Sequence, residues 1–212
     1  MDTSLLIGYA SILSVLIPLG FAVVQWNKIP SDISTLRWLL IVGLVSDVLG
    51  SILGSFAINN LWVGDVFMFI QFTILLYIFS RQFQKKLPFV VVYLIIVVFY
   101  SFAYPFGNQA MVTLVRSNAV DGLLLVVISI AFFYKLLNEL KVTNIQRLPI
   151  LWISFATLFY YSGNFFVFLA SGYLEQDPDT FILFWMLHNV LNVIKNILFA
   201  IGLWQSYRTM RS

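Results

Sequence analysis

The chain has 212 residues, of which 61% are hydrophobic, 17% aromatic and 10% charged, against about 25% charged in soluble domains. That composition places it in a membrane, and the absence of cysteine excludes disulfides, thiolate metal sites and a cysteine nucleophile. The net charge of +3 matters less than where the charges sit.

Apolar runs of roughly 20 residues cross a hydrocarbon core of about 30 Å. They predict an all-α bundle of seven transmembrane helices, near 4–26, 36–57, 62–81, 88–106, 111–137, 149–172 and 181–206, forming a single domain over 1–212. The first run lacks a basic leader and a small-residue cleavage site, so it reads as a retained helix. The second carries Asp47 near its middle. There Gly50 and Gly54, a small-xxx-small pair on nearly the same face, predict a close helix contact that the aspartate would cap. Asp65 opens the third run and Gln71 lies deeper in it.

The fourth run, "PFVVVYLIIVVFYSFAY", carries no charge and reads as a lipid-facing or connecting helix. The fifth has Arg116 near its outer end, followed by Ser117, Asn118 and Asp121. Ser162 and Asn164 occupy the outer half of the sixth. Pro88 and Pro149 fit the first turns of the fourth and sixth helices, where a missing N–H costs nothing. The seventh holds "HNVLNVIKN", residues 188–196, the densest polar stretch inside any apolar run.

Ten of the twelve basic residues flank loops one, three and five or lie in the tail: Lys28, Arg37, Arg81, Lys85, Lys86, Lys135, Lys141, Arg147, Arg208 and Arg211. The other side shows only the acids Asp2, Glu175, Asp177 and Asp179. The positive-inside rule then puts the N-terminus outside and the C-terminus in the cytoplasm, as expected of a multi-pass protein of the cell inner membrane. The remaining two basic residues, Arg116 and Lys195, fall within predicted spans.

An ionisable group at mid-membrane costs at least ~2.5–3.5 kcal/mol, so it calls for a partner or an aqueous cavity. At about 100° per residue His188, Asn192 and Lys195 share a sector of roughly 60°, which Asn189 and Asn196 widen to roughly 120°. This stripe should face the bundle interior. There it either glues helices together through hydrogen bonds or lines a site. Asp121 is the favoured counter-charge for Lys195 because Ser117 and Asn118 could hold it, and Asp47 is the other candidate at matching depth. With Asn164 and Gln71 these groups outline a polar pocket that opens outward. An odd helix in the middle also fits a parallel 3+1+3 repeat. Trp62 with Asp65 and Trp185 with His188 occur at matching positions of its two halves.

No phosphate loop, HExxH or GxSxG is present, one histidine excludes a histidine-rich metal site, and the loops are too short for a nucleic-acid-binding or extramembrane catalytic domain. The expected partners are the bilayer and a small molecule, with no cofactor identified. The reading is receptor- or transporter-like rather than enzymatic, with a small polar or anionic ligand or a relayed proton.

Three resemblances accompany it. Seven helices with a lysine in "VLNVIKNILFAIGLW" resemble a microbial rhodopsin, which implies retinal bound to Lys195 as a Schiff base, although Leu191 stands where that family has a carboxylate. "LVSDVLGS" and "FYYSGNFF" resemble the lysoplasmalogenases, which implies an intramembrane lipid hydrolase, with Asn164 where a second aspartate is expected. "NNLW" and "HNVLNVIKNILFAIGLW" resemble small seven-helix membrane proteins of bacteria, a likeness that implies the fold and no activity.

Overall fold

The computed structural model describes residues 3–106, 119–139, 144–174 and 177–209. These form helices α1 (Thr3–Ser14), α2 (Leu16–Val24), α3 (Leu36–Ser55), α4 (Leu61–Gln82), α5 (Leu87–Phe106), α6 (Ala119–Asn138), α7 (Pro149–Leu174) and α8 (Pro178–Thr209), with a 3-10 turn over Ile145–Arg147 and no strand among the described residues. Among the described residues five spans, Thr3–Val24 and four single helices, are long and apolar enough to cross a membrane, which is the character of a multi-pass membrane protein. Residues 111–118 of the expected fifth helix, and with them Arg116, Ser117 and Asn118, lie outside the described residues.

The first run, expected as one helix over 4–26, is broken at Val15. Pro18 explains the break: it has no N–H for the Ser14 carbonyl, and its ring crowds that carbonyl. The ladder resumes with Leu19 N–H donating to Val15 O at 3.1 Å. At the end of α3 the chain closes with Ile58 N–H on Leu53 O and Ala57 N–H on Gly54 O, both 3.0 Å, and Ala57 sits at φ 55°. This is the paired 6→1 and 5→2 closure usually made by glycine, here made by an alanine. The start of α8 is equally well specified. Asp177 precedes Pro178, its carboxylate accepts the Thr180 hydroxyl at 2.6 Å, and that bond holds the carboxyl below its ordinary range.

Side-chain contacts fix the relative helix directions. Asn192 and Asn196 of α8 donate to Ser11 and Ser14 of α1, at 2.9 and 2.8 Å, so the two helices run parallel. Phe79 packs on Phe132 with ring centroids 6.2 Å apart, and the Lys135 ammonium donates to Gln82 O, so α4 and α6 are also parallel. Phe133 on Phe155 and Gly122 beside Tyr161 make α6 and α7 antiparallel. Asn164 with His188 and Gly202 against Pro149 make α7 and α8 antiparallel.

Neighbour follows neighbour around a closed ring: α1 and α2, then α3, α4, α6, α7 and α8, which returns to α1 and α2. Helix α5 stands outside, on α4. Its residues Val90, Val91, Leu94, Ile95 and Val98 are exposed, as expected of a lipid-facing helix.

The interior of the ring is divided. The half nearer the basic loops is filled by Leu36, Phe72, Phe79, Ile153, Phe199 and Leu203, all essentially inaccessible. In lipid the hydrophobic effect does not separate inside from outside, so this plug is held by close packing and by interhelical hydrogen bonds. The rim at that end is tied by Gln82 donating to Asp32 at 3.1 Å and by Arg37 donating to Trp26 O at 2.7 Å, with its guanidinium over the Trp26 ring. Toward the other end the buried side chains include Gln71, Asp121, Asn164 and Lys195 beside Val63, Met68 and Val167.

Candidate functional site

Of the polar stripe on α8, only part faces the interior. Asn192 and Asn196 are spent on the seam with α1, and Asn189 donates to the Trp185 carbonyl of its own helix at 3.0 Å. His188 points to α7, where Nδ1 lies 2.9 Å from Asn164 Oδ1, while Asn164 Nδ2 donates to Tyr160 O at 2.8 Å. Its ring stacks on Trp185 at 4.9 Å and meets Tyr160 edge-on at 5.8 Å. The sole histidine is therefore framed by two aromatic rings and an amide.

Lys195 differs. It is 5% exposed, and its ammonium lies 4.2 Å from the centroid of the Tyr160 ring. No hydrogen bond or ion pair to it forms among the described residues. The carboxylate that acts on it electrostatically is Asp47 of α3, which also acts on Tyr160. An ammonium, a carboxylate and a phenol thus converge from three helices, near enough to feel one another without being joined. A buried cation satisfied only by a ring face and a more distant anion leaves N–H donors for a further acceptor.

Asp121, the favoured partner on sequence grounds, is engaged elsewhere. Its Oδ2 accepts the Tyr100 hydroxyl of α5 at 2.6 Å, and its charge falls on Tyr161. Tyr161 Oη accepts from Gln71 Nε2 at 2.7 Å. Asp121 and Gln71 accordingly form a second cluster among α4, α5, α6 and α7, apart from Lys195. The physical reason lies in the azimuth of α6, which turns Asp121 toward α5 and α7, whereas α3 brings Asp47 to the face opposite α8.

At Gly50 the expected close helix contact beside Asp47 is absent: a methyl there would meet no described atom within 4 Å, and the Gly50 carbonyl accepts Asn60 Nδ2 at 2.8 Å, the same amide nitrogen that lies 3.3 Å from a Cβ built at Gly54. The intimate glycine contact is on α7, where a Cβ at Gly163 would stand 2.6 Å from Leu191 Cδ1. The leucine that occupies the carboxylate position of the rhodopsin resemblance is thus the knob that fills Gly163.

Sequence reasoning did not single out the buried tyrosines, a residue type usual in interfacial belts. Tyr160 and Tyr161 fall twelve and thirteen residues into α7, and Tyr100 fourteen residues into α5, far too deep for a belt. That depth was the available signal. Ser11 and Ser14 were also missed, as small polar residues without a charge to mark them. Comparison with protein-family models, with curated proteins and with solved structures gave no match.

Proposed function

We propose that this is a seven-span protein of the cell inner membrane, N-terminus outside, whose interior binds a small molecule bearing an anionic group. Parallel α1 and α8, which require an odd number of crossings between them, support the odd count, and the basic loops support the orientation. The ring order also suits a 3+1+3 arrangement in which α5 is the linking helix. The observation that carries the ligand reading is Lys195: a buried ammonium with Asp47 and Tyr160 around it and no hydrogen-bond acceptor of its own among the described residues. The anion would sit on Lys195, and a donor of the same molecule would meet Asp47. The apolar plug at the basic end and the buried polar groups above it favour entry from outside, as in a receptor or an outward-open transporter.

The test is ligand recovery. Protein purified in mild detergent is extracted with organic solvent and analysed by mass spectrometry, beside Lys195→Met and Asp47→Asn. A small acid present in the wild type and lost from both variants is the expected result. A visible absorption band on adding retinal would replace this reading with the rhodopsin one. Headgroup release from a lysolipid that needs Asp47 would replace it with the hydrolase. No recovered acid, together with no thermal response to a panel of small carboxylates and phosphates, would sink it.

A further inference from the structure

The second polar cluster has an unmet need of its own. Asp121 is 2% exposed and Gln71 is fully buried. One oxygen of each, Asp121 Oδ1 and Gln71 Oε1, is sealed from solvent and has no hydrogen-bond partner among the described residues. The other polar atom of each is committed to a tyrosine: Tyr100 donates to Asp121 Oδ2, and Gln71 Nε2 donates to Tyr161 Oη. Tyr161 is the hub, since it bonds Gln71, feels the charge of Asp121, and lies so close to Gly122 that a Cβ there would stand 3.1 Å from Tyr161 Cδ1. Both orphaned atoms are acceptors, so neither can satisfy the other.

A buried unsatisfied acceptor costs roughly 1–3 kcal/mol, and more when it is charged. What would satisfy two acceptors and a carboxylate charge together is a small cation. Hard monovalent and divalent cations take oxygen ligands of this kind, carboxylate, amide carbonyl and hydroxyl. One carboxylate among neutral oxygens balances one positive charge. We infer that Asp121 and Gln71, with the Tyr161 hydroxyl, form a binding site for a monovalent cation of the sodium class among α4, α6 and α7. Tyr100 of α5 braces the carboxylate and aims its free oxygen. The site is separate from Lys195 and does not rest on the ligand proposed there. It would give the outlying α5 a role, because its Tyr100 hydroxyl holds the carboxylate.

The experiment is thermal unfolding of the detergent-solubilised full chain in sodium chloride against N-methyl-D-glucamine chloride at equal ionic strength, with potassium and lithium beside them. Sodium should raise the midpoint along a saturating curve, by roughly 5 °C at a hundredfold excess over Kd. Asp121→Asn should abolish the response, and Gln71→Leu should move its midpoint to at least about tenfold higher sodium. Should Asp121→Asn not fold, binding of radioactive sodium to the wild type, displaced by unlabelled sodium and not by N-methyl-D-glucamine, decides the same question. Lys195→Met keeps the response, which separates failure of this site from failure of the ligand reading. Equal unfolding in both salts overturns the inference, in favour either of a proton shared by the two acceptors or of an inverted Gln71 amide. A sodium response that survives Asp121→Asn overturns it as well.

Discussion

Replacing Asp47 should cost more than replacing Lys195, although each acts on the other electrostatically. The Lys195 ammonium is 5% exposed and has two attractions. The Tyr160 ring, at 4.2 Å, is worth about 2 kcal/mol when desolvated. Asp47 adds roughly 2–4 kcal/mol for separations of about 4–8 Å at an effective dielectric of about 20. Asp47→Asn leaves that buried cation with the ring alone, and the loss should be ~3 kcal/mol. Lys195→Met leaves a half-buried carboxylate, less fully enclosed than the ammonium, so its loss should be nearer ~1 kcal/mol. The double variant should lose less than the sum, with a coupling of roughly 2–4 kcal/mol. Unfolding of the two single variants and the double, in detergent and with matched controls in Asp121→Asn, reads this directly. Additive losses for Asp47 and Lys195, or a rescue of Lys195→Met by Asp121→Asn, would refute the reasoning.

Four further outcomes are expected. Tyr160→Phe keeps the ring under Lys195 and should change stability by less than about 0.5 kcal/mol, whereas Tyr160→Leu removes it and should cost about 2 kcal/mol, both read by thermal unfolding. Ala57→Gly relieves an L-residue at φ 55° and should stabilise the protein by about 0.5–1 kcal/mol; a lower unfolding midpoint would contradict the helix closure described. Gly163→Ala drives a methyl into Leu191 and should cost about 1–3 kcal/mol, with partial recovery in the double variant that adds Leu191→Ala. A reporter active only in the cytoplasm should work when fused at the C-terminus and be silent when inserted after Asp177, and the reverse pattern would invert the orientation.

Helices were legible because each run had both an apolar length and punctuation: Pro149 opens α7 at the residue expected, and α3 starts at Leu36 as read. The break at Val15 was missed because a proline three residues into the second piece looks, in composition, like part of one span. The site was legible by residue type and not by partner. Lys195, Asp47 and Asp121 all stood out as charges in apolar runs, but which pair meets depends on helix azimuth and ring order, and neither is encoded in spacing along one helix. Periodicity placed the five polar residues of α8 on one stripe correctly. It could not reveal that a stripe of roughly 120° is wide enough to touch two neighbouring helices and the interior at once, so that Asn192 and Asn196 go to the α1 seam while Lys195 does not.

That seam also bears on how the molecule is made. Ser11 and Ser14 wait for Asn192 and Asn196, partners about 180 positions later in the chain. During synthesis the first helix therefore enters the bilayer with two hydroxyls whose mates have not yet been translated, and the ring stays an open arc until α8 arrives. A chain halted before α8 would display along one gap not only those serines but Asn164 and Tyr160, a polar furrow turned toward lipid. Completion of the ring thus falls to the last helix, which covers those serines, Asn164 and Tyr160 at once.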